Sequence, residues 1–211
     1  MLAVPARAVA DEQVSSQDTT FMVQNAQTDL AEISLGQIAV QRATSSDARN
    51  LAQETMADHQ QALGKLQTLA SQNGVALPDT PSAEQHSMAA AVTSESGSAF
   101  DVAYLRAQVT GHTTSISQAE TELSSGRDAA VVAFARDYLP VAQKHLAHAQ
   151  SALQAMGLAP SGVNTGSGGA AAAQDAPVGW YAAIAAGGLV LAAAAALTLL
   201  PSRRGQASQP R

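Results

Sequence analysis

Cysteine is absent from this 211-residue chain, which excludes disulfides, thiol nucleophiles and thiolate metal sites without identifying a compartment. Aromatic residues make up only 3%. A core must therefore be assembled from Ala, Leu, Val, Ile and Met, whose small side chains let helices approach closely, whereas a β-sandwich calls for more aromatic and β-branched residues. Charged residues are also sparse at 13%, the formal net charge is -6, and no basic cluster lies in the central part of the chain. That argues against nucleic-acid binding. A phosphate-cradling glycine loop, a nucleotide fingerprint and a nucleophile triad are likewise missing. The length suits one ordinary domain with appendages.

What is present is helical periodicity with histidine set into it. In the run Ala52 to Ala70, positions Ala52, Met56, His59, Leu63, Leu66 and Ala70 step by four and three, the spacing of one buried helix face. Leu105 to Leu123 repeats the arrangement through Leu105, Val109, His112, Ile116, Ala119 and Leu123. Two helices thus carry a histidine at the middle of an apolar stripe, which predicts a bundle with a polar centre.

Four long helices are predicted around that centre. The first starts at an N-cap of Asp18 or Thr19 and runs to about Ala43, with Val23, Ala26, Leu30, Ile33 and Val40 inward and Glu32, Leu35, Gly36 and Ala39 on the flank. Ser45-Ser46-Asp47 makes a short turn to the second, so the two are antiparallel neighbours. Asn73-Gly74 ends the second with residues suited to a left-handed cap. Val75 to Gly97 is too long for a hairpin and holds a short helix over Ala83 to Val92; its length fits either a crossing from end to end or a closed loop. Ser98 and Asp101 resemble a capping box opening the third helix, which ends near Ser125-Gly126. Asp128 caps the fourth, which extends to Met156 and carries Pro140 well inside, where a kink or local break is expected. Its cleanest apolar stripe is Ala135, Leu139, Ala142, Leu146, Ala149 and Leu153, with His145 at the edge.

The ends of the chain differ from this. Residues 1–17 open with MLAVPARAVA, whose Ala8-Val9-Ala10 has the form of a signal-peptidase site; they read as the remnant of an export signal or as a disordered N-terminus. After the bundle, residues 18–157, comes a tether rich in Gly, Ala and Ser at 158–177. Residues 178–200 carry no charged side chain and open near Trp180-Tyr181. As a helix this run is about 34 Å long, enough to cross a hydrocarbon core of about 30 Å. Arg203 and Arg204 follow in the tail 201–211, so the positive-inside rule predicts a single-pass anchor in the cytoplasmic membrane, with a cytoplasmic C-terminus and an extracytoplasmic bundle.

Asp18, Phe21, Ala26, Glu32 with Leu35-Gly36 and Ala39, Met56-Ala57-Asp58-His59, and Leu77-Pro78 form one set of spaced residues. Phe100-Asp101, Tyr104-Leu105, Gln108-Val109, Gly111-His112, Phe134-Ala135, Leu139-Pro140 and His145-Leu146 form another. Together they resemble the ferritin-like family of domain of unknown function 4142, which also carries an outer-membrane label, over Asp18 to Met156. The resemblance implies a ferritin-like antiparallel four-helix bundle, all-α, with a long connection between its second and third helices, in exported bacterial proteins. It implies no established activity. The outer-membrane label fits poorly with an α-helical anchor.

Two readings of the polar centre stay open. One is a transition-metal site for zinc, iron, manganese or copper, with Glu32, His59, His112 and His145 giving one ligand from each helix and Asp58, Tyr104 and Tyr138 hydrogen-bonding around them. The other is a structural network in which Glu32 or Asp58 holds a buried histidine, since an unpaired polar group inside costs on the order of 1–3 kcal/mol. Di-iron oxidase chemistry is disfavoured: ferritin-like di-iron enzymes use Glu-x-x-His pairs, and Met56 and Ala142 stand where those glutamates belong. Asp58 points about 100° away from His59 around the helix. His86 and His148 are expected to be solvated, and Glu120 and Glu122 to lie on a hydrated face. The functional expectation is an envelope binding or interaction module tethered to the membrane, not an enzyme, with a protein partner or a metal ion as ligand; the alternative is a metalloprotein that stores, senses or uses a transition ion.

Overall fold

The structure, a computed structural model, describes residues 14–159. Five helices account for most of them: α1 (Ser16–Arg42), α2 (Ser46–Gln72), α3 (Ala83–Ser94), α4 (Gly97–Ser125) and α5 (Ala129–Ala155). Among the described residues there is no strand, and no helix is long and apolar enough to cross a membrane. Residues up to 13, read from the sequence as part of an export remnant, and those from 160 onward, read as a tether, a membrane span at 178–200 and a tail, lie outside the described residues.

Most helices begin where the chain offers a side-chain oxygen to the free N–H groups of a first turn. Ser15 caps α1 in a reciprocal box with Asp18, so this helix starts a turn earlier than the predicted caps, and Asp18 is the third helical residue. Ser45 caps α2, Ser82 forms a box with Gln85 on α3, and Asp128 caps α5. In α4 the expected box does not form: Ser98 lies inside the helix, whose N-cap is Ser96 without a side-chain bond, and the Asp101 carboxylate is engaged elsewhere. It accepts the N–H groups of Thr44 at 2.9 Å and Ser45 at 2.8 Å, together with the Thr44 hydroxyl. Asp18 acts likewise at the other end, accepting Arg127 N–H at 2.8 Å and Asp128 N–H at 3.2 Å.

These two aspartates fix the topology. Asp101 holds the start of α4 against the α1–α2 turn, and Asp18 holds the start of α1 against the α4–α5 turn. Two antiparallel hairpins, α1–α2 and α4–α5, therefore lie side by side, with α1 against α4 and α2 against α5. The chain leaving α2 must travel back along the bundle to begin α4. Val75 and Leu77 pack into the apolar cluster at one end, while Met88, Ala89 and Val92 pack into the other. The long connection thus crosses from end to end, with α3 covering α1 and α4. Arg42 secures its far end by donating to the carbonyls of Thr93, at 2.9 Å, and Glu95.

The hairpins follow one plan at an offset of 83 residues. Asp18 corresponds to Asp101, cap Ser45 to cap Asp128, and Gly74 (φ 65°) to Gly157 (φ 74°). The glycines take the left-handed conformation that closes a helix C-terminus. After each, an N–H returns to the last turn: Val75 to the Ala70 carbonyl at 2.9 Å and Leu158 to the Leu153 carbonyl at 3.0 Å. Leu158 packs on the core and so belongs to the bundle rather than to the tether. Helix α5 continues through Pro140, whose ring is exposed.

The inward face of α1 is rotated by one residue, about 100°, from its predicted position, and that of α5 by less, since Ala135, Ala142, Ala149 and Leu153 of its predicted stripe are buried. On α1 the buried stripe includes Asp18, Met22, Asn25, Asp29, Glu32, Gly36 and Ala39, while Val23, Leu30, Ile33 and Val40 are only half-buried. On α5, Tyr138 and His145 turn inward and Leu139 and Leu146 move to the flank. Gly36 lets α2 come close: a Cβ there would stand 3.2 Å from the Ala52 carbonyl oxygen. Glu122, expected on a hydrated face, is buried beside Gln17. The apolar core divides into two clusters, one around Leu51, Phe100, Leu105 and Leu153 and one around Phe21, Met22, Leu66 and Val131. Neither contains Asp29, Glu32, His59, Gln108, His112 or His145, which are buried polar groups near mid-bundle.

Candidate metal centre

Three helices each bring one imidazole to this layer: His59 from α2, His112 from α4 and His145 from α5, at 1%, 1% and 0% exposure. Their ring centroids lie 5.0–5.7 Å apart. One ring nitrogen of each falls within 4.8 Å of the other two.

Hydrogen bonds assign the proton on every ring. His59 Nδ1 donates to Asp29 Oδ1 at 2.7 Å, His112 Nδ1 donates to the Gln108 carbonyl at 2.9 Å, and His145 Nε2 donates to Asp58 Oδ2 at 3.0 Å. Carboxylates and carbonyls only accept, so those nitrogens carry the hydrogens and the opposite nitrogens carry lone pairs. The free atoms are then His59 Nε2, His112 Nε2 and His145 Nδ1. His59 Nε2 is buried with no hydrogen-bond partner. His112 Nε2 and His145 Nδ1 face one another at 3.1 Å. With both outer nitrogens acting as donors, that contact joins two acceptors unless a cation or an additional proton lies there.

The surrounding charge is negative. Asp29 is fully buried and accepts from the His59 ring, and Glu32, 8% exposed, accepts only from the neutral Gln108 amide at 2.6 Å. A buried anion served only by neutral groups calls for a cation. Burial raises the Asp29 carboxyl to about 6, against the opposing pull of His59. Burial lowers His112 to about 4 and also lowers His145, reinforced in each case by the neighbouring rings. His59 moves the other way: burial opposes its charge, but the Asp29 hydrogen bond and the nearby carboxylates outweigh it and raise its pKa. A proton on Nε2 would leave a buried donor with nothing to bond.

The candidate residues named from the sequence divide as follows. His59, His112 and His145 come together, and Asp58 meets the centre through His145. Glu32 lies outside the group of three nitrogens, hydrogen-bonded to Gln108. Tyr104 stacks on Phe100 and contacts Thr55 across 3.4 Å. Tyr138 presents its ring to His59, centroids 6.1 Å apart, and its hydroxyl is buried without a partner. Burial pushes both phenols above their ordinary range. His148 is not a lone solvated side chain: it bonds Glu54 at 2.9 Å, next to the Lys144–Glu54 ion pair. Asp29 and Gln108 are the important residues that residue chemistry alone did not single out. Asp29 had a signal, since Asp18, Met22, Asn25, Asp29, Glu32, Gly36 and Ala39 step by four and three along one helix face.

A helical hairpin pair with an end-to-end crossover and polar side chains at mid-bundle defines a ferritin-like protein. The chain belongs to the family described as domain of unknown function DUF4142, whose model matches residues 3–152. Its fold is similar to that of a DUF305 fragment from Deinococcus radiodurans, at 13% identity over 67% of this chain and 98% of that one, with a TM-score of 0.61. A DUF305 protein from Streptomyces coelicolor gives 12% identity, 70% and 98% coverage and a TM-score of 0.60. A two-domain protein from Anabaena variabilis, with DJ-1/ThiJ/PfpI-like and ferritin-like domains, gives 12% identity, 82% and 49% coverage and a TM-score of 0.53. At these identities the likeness concerns the fold alone. No protein of curated function matches.

Proposed function

We propose that this protein binds a transition-metal dication through His59 Nε2, His112 Nε2 and His145 Nδ1. The observation that carries the reading is the orientation of the rings: each has one nitrogen fixed by an acceptor, leaving the other free for an ion. Metal-bound histidines characteristically donate their second N–H to a carboxylate or carbonyl. Two nitrogens about 2.0–2.1 Å from a tetrahedral ion stand about 3.3 Å apart, close to the 3.1 Å between His112 and His145. Asp29 and Glu32 supply the negative charge that favours a dication; neutral imidazole suits zinc, copper or iron, and manganese is favoured by carboxylates nearby.

In this proposal Glu32 acts through charge and through Gln108 rather than as a ligand. The apolar run 178–200, with Arg203 and Arg204 after it, tethers the bundle to the outer side of the cytoplasmic membrane, where it takes up its ion from the envelope. Metal analysis of protein purified without a polyhistidine tag tests the reading. Stoichiometric metal, lost in His59→Ala, His112→Ala and His145→Ala, supports it. A metal-free protein that takes up none of the four ions on reloading leaves the polar network as the role of these residues and overturns it.

A further inference from the structure

Resting on that metal site, we infer that its coordination sphere is open toward the α2–α5 side and accepts a small exogenous donor, an anion of two or three heavy atoms or water. Three imidazoles leave a tetrahedral ion one position short, the arrangement of sites that bind exchangeable ligands. Neither Asp29 nor Glu32 falls within the group of three nitrogens, and each carboxylate holds a hydrogen bond with one of its oxygens, Asp29 Oδ1 from His59 and Glu32 Oε2 from Gln108.

A cavity of about 70 Å³ reaches this layer between α2 and α5, lined in part by Asp58, His59, Ala62, Tyr138 and Val141. That is several times the roughly 10–15 Å³ one water requires. Of the three imidazoles, only His59 lines it. One lining residue, His59, carries a buried polar atom with no hydrogen-bond partner, Nε2. In a packed protein such atoms are few and call for an explanation. A ligand entering past His59 with a donor atom for the ion completes its sphere. Lys65 and Asp137 also line the cavity, so it presents both signs of charge and admits cations and small anions alike.

Azide titrated into the Co2+-loaded protein, followed by visible absorption, tests this. The expected result is a saturable change in the cobalt spectrum, weakened at least tenfold in Val141→Phe, with Val141→Phe keeping its cobalt stoichiometry. Ala62→Leu narrows the same cavity should Val141→Phe fold poorly, and the wild-type titration alone decides whether the sphere is open. Bound cobalt whose spectrum is indifferent to azide overturns the inference and leaves the three-imidazole site standing. Azide affinity unchanged in both narrowed variants overturns the cavity as the route. Failure to take up cobalt removes the metal site and this inference with it.

Discussion

Replacing His112 with Leu separates a metal centre from a structural network more sharply than removing any other side chain. The two residues are of similar size, so little cavity is made. The Gln108 carbonyl that accepts His112 Nδ1 belongs to the helix and keeps its backbone bond. If the 3.1 Å contact with His145 is two lone pairs without an ion, nothing favourable is lost on that side, and burial of an apolar side chain offsets the rest. The metal-free variant should therefore unfold in urea within about 1 kcal/mol of wild type. In a hydrogen-bonded network the same change strands His145 Nδ1 and costs about 1–3 kcal/mol, in addition to the lost bond. With metal the comparison reverses. An ion at a hundred times its dissociation constant stabilises wild type by about 2.7 kcal/mol, roughly 5–10 °C in Tm for a domain of this size. His112→Leu should lose most of that gain. A metal-free variant destabilised by 3 kcal/mol or more, or one whose Tm still rises with metal as in wild type, would refute the reasoning.

Asp29→Asn keeps the shape beside His59 but removes the charge, and metal affinity by titration calorimetry should fall about 10–100-fold with the helical circular dichroism unchanged. Asp18→Ala and Asp101→Ala each free N–H groups at an interhelical turn, and each should lower urea stability by about 2–4 kcal/mol, at least twice the loss at an ordinary cap. Glu122 is raised to about 7, by burial first and then by Asp18. A raised folded-state pKa means the folded form holds the proton longer, so this contribution to stability is full below the ordinary carboxyl value of 4.5 and is lost as pH rises through about 7. Because Asp29 and His59 are also raised and act in the same direction, the measure is the difference between variants: from pH 5 to 8 wild type should lose about 1 kcal/mol more than Glu122→Gln. Parallel curves would show that Glu122 does not titrate there. Asp18, held to about 2 by hydrogen bonds that outweigh its burial, contributes in full across this window, and its share is lost only as pH falls below it.

Helix ends were legible because capping is local. Ser45, Asp128, Gly74 and Gly157 act on the turns next to them, and the sequence shows those turns. The exceptions have one cause: Asp18 and Asp101 look like local caps, yet both bond N–H groups in the opposite hairpin. His59 and His112 were legible as inward because apolar residues flank them at helical spacing. His145 and Asp29 were not. On α1 and α5 the apolar residues are abundant enough to outline two overlapping stripes, and hydrophobicity favours the one without polar members.

The amino-acid order by itself determined an all-helical protein, its helix spans, its family and two of its three central histidines, because periodicity, caps and left-handed glycines are written into short stretches of chain. The tertiary structure decided which face of α1 and α5 turns inward, the end-to-end path of the crossover, and the meeting of His145 with His59 and His112. A helix can bury polar residues only when other helices satisfy them. Asp29 faces inward because His59 is there to donate to it, and that pairing has no representation in the sequence of either helix alone.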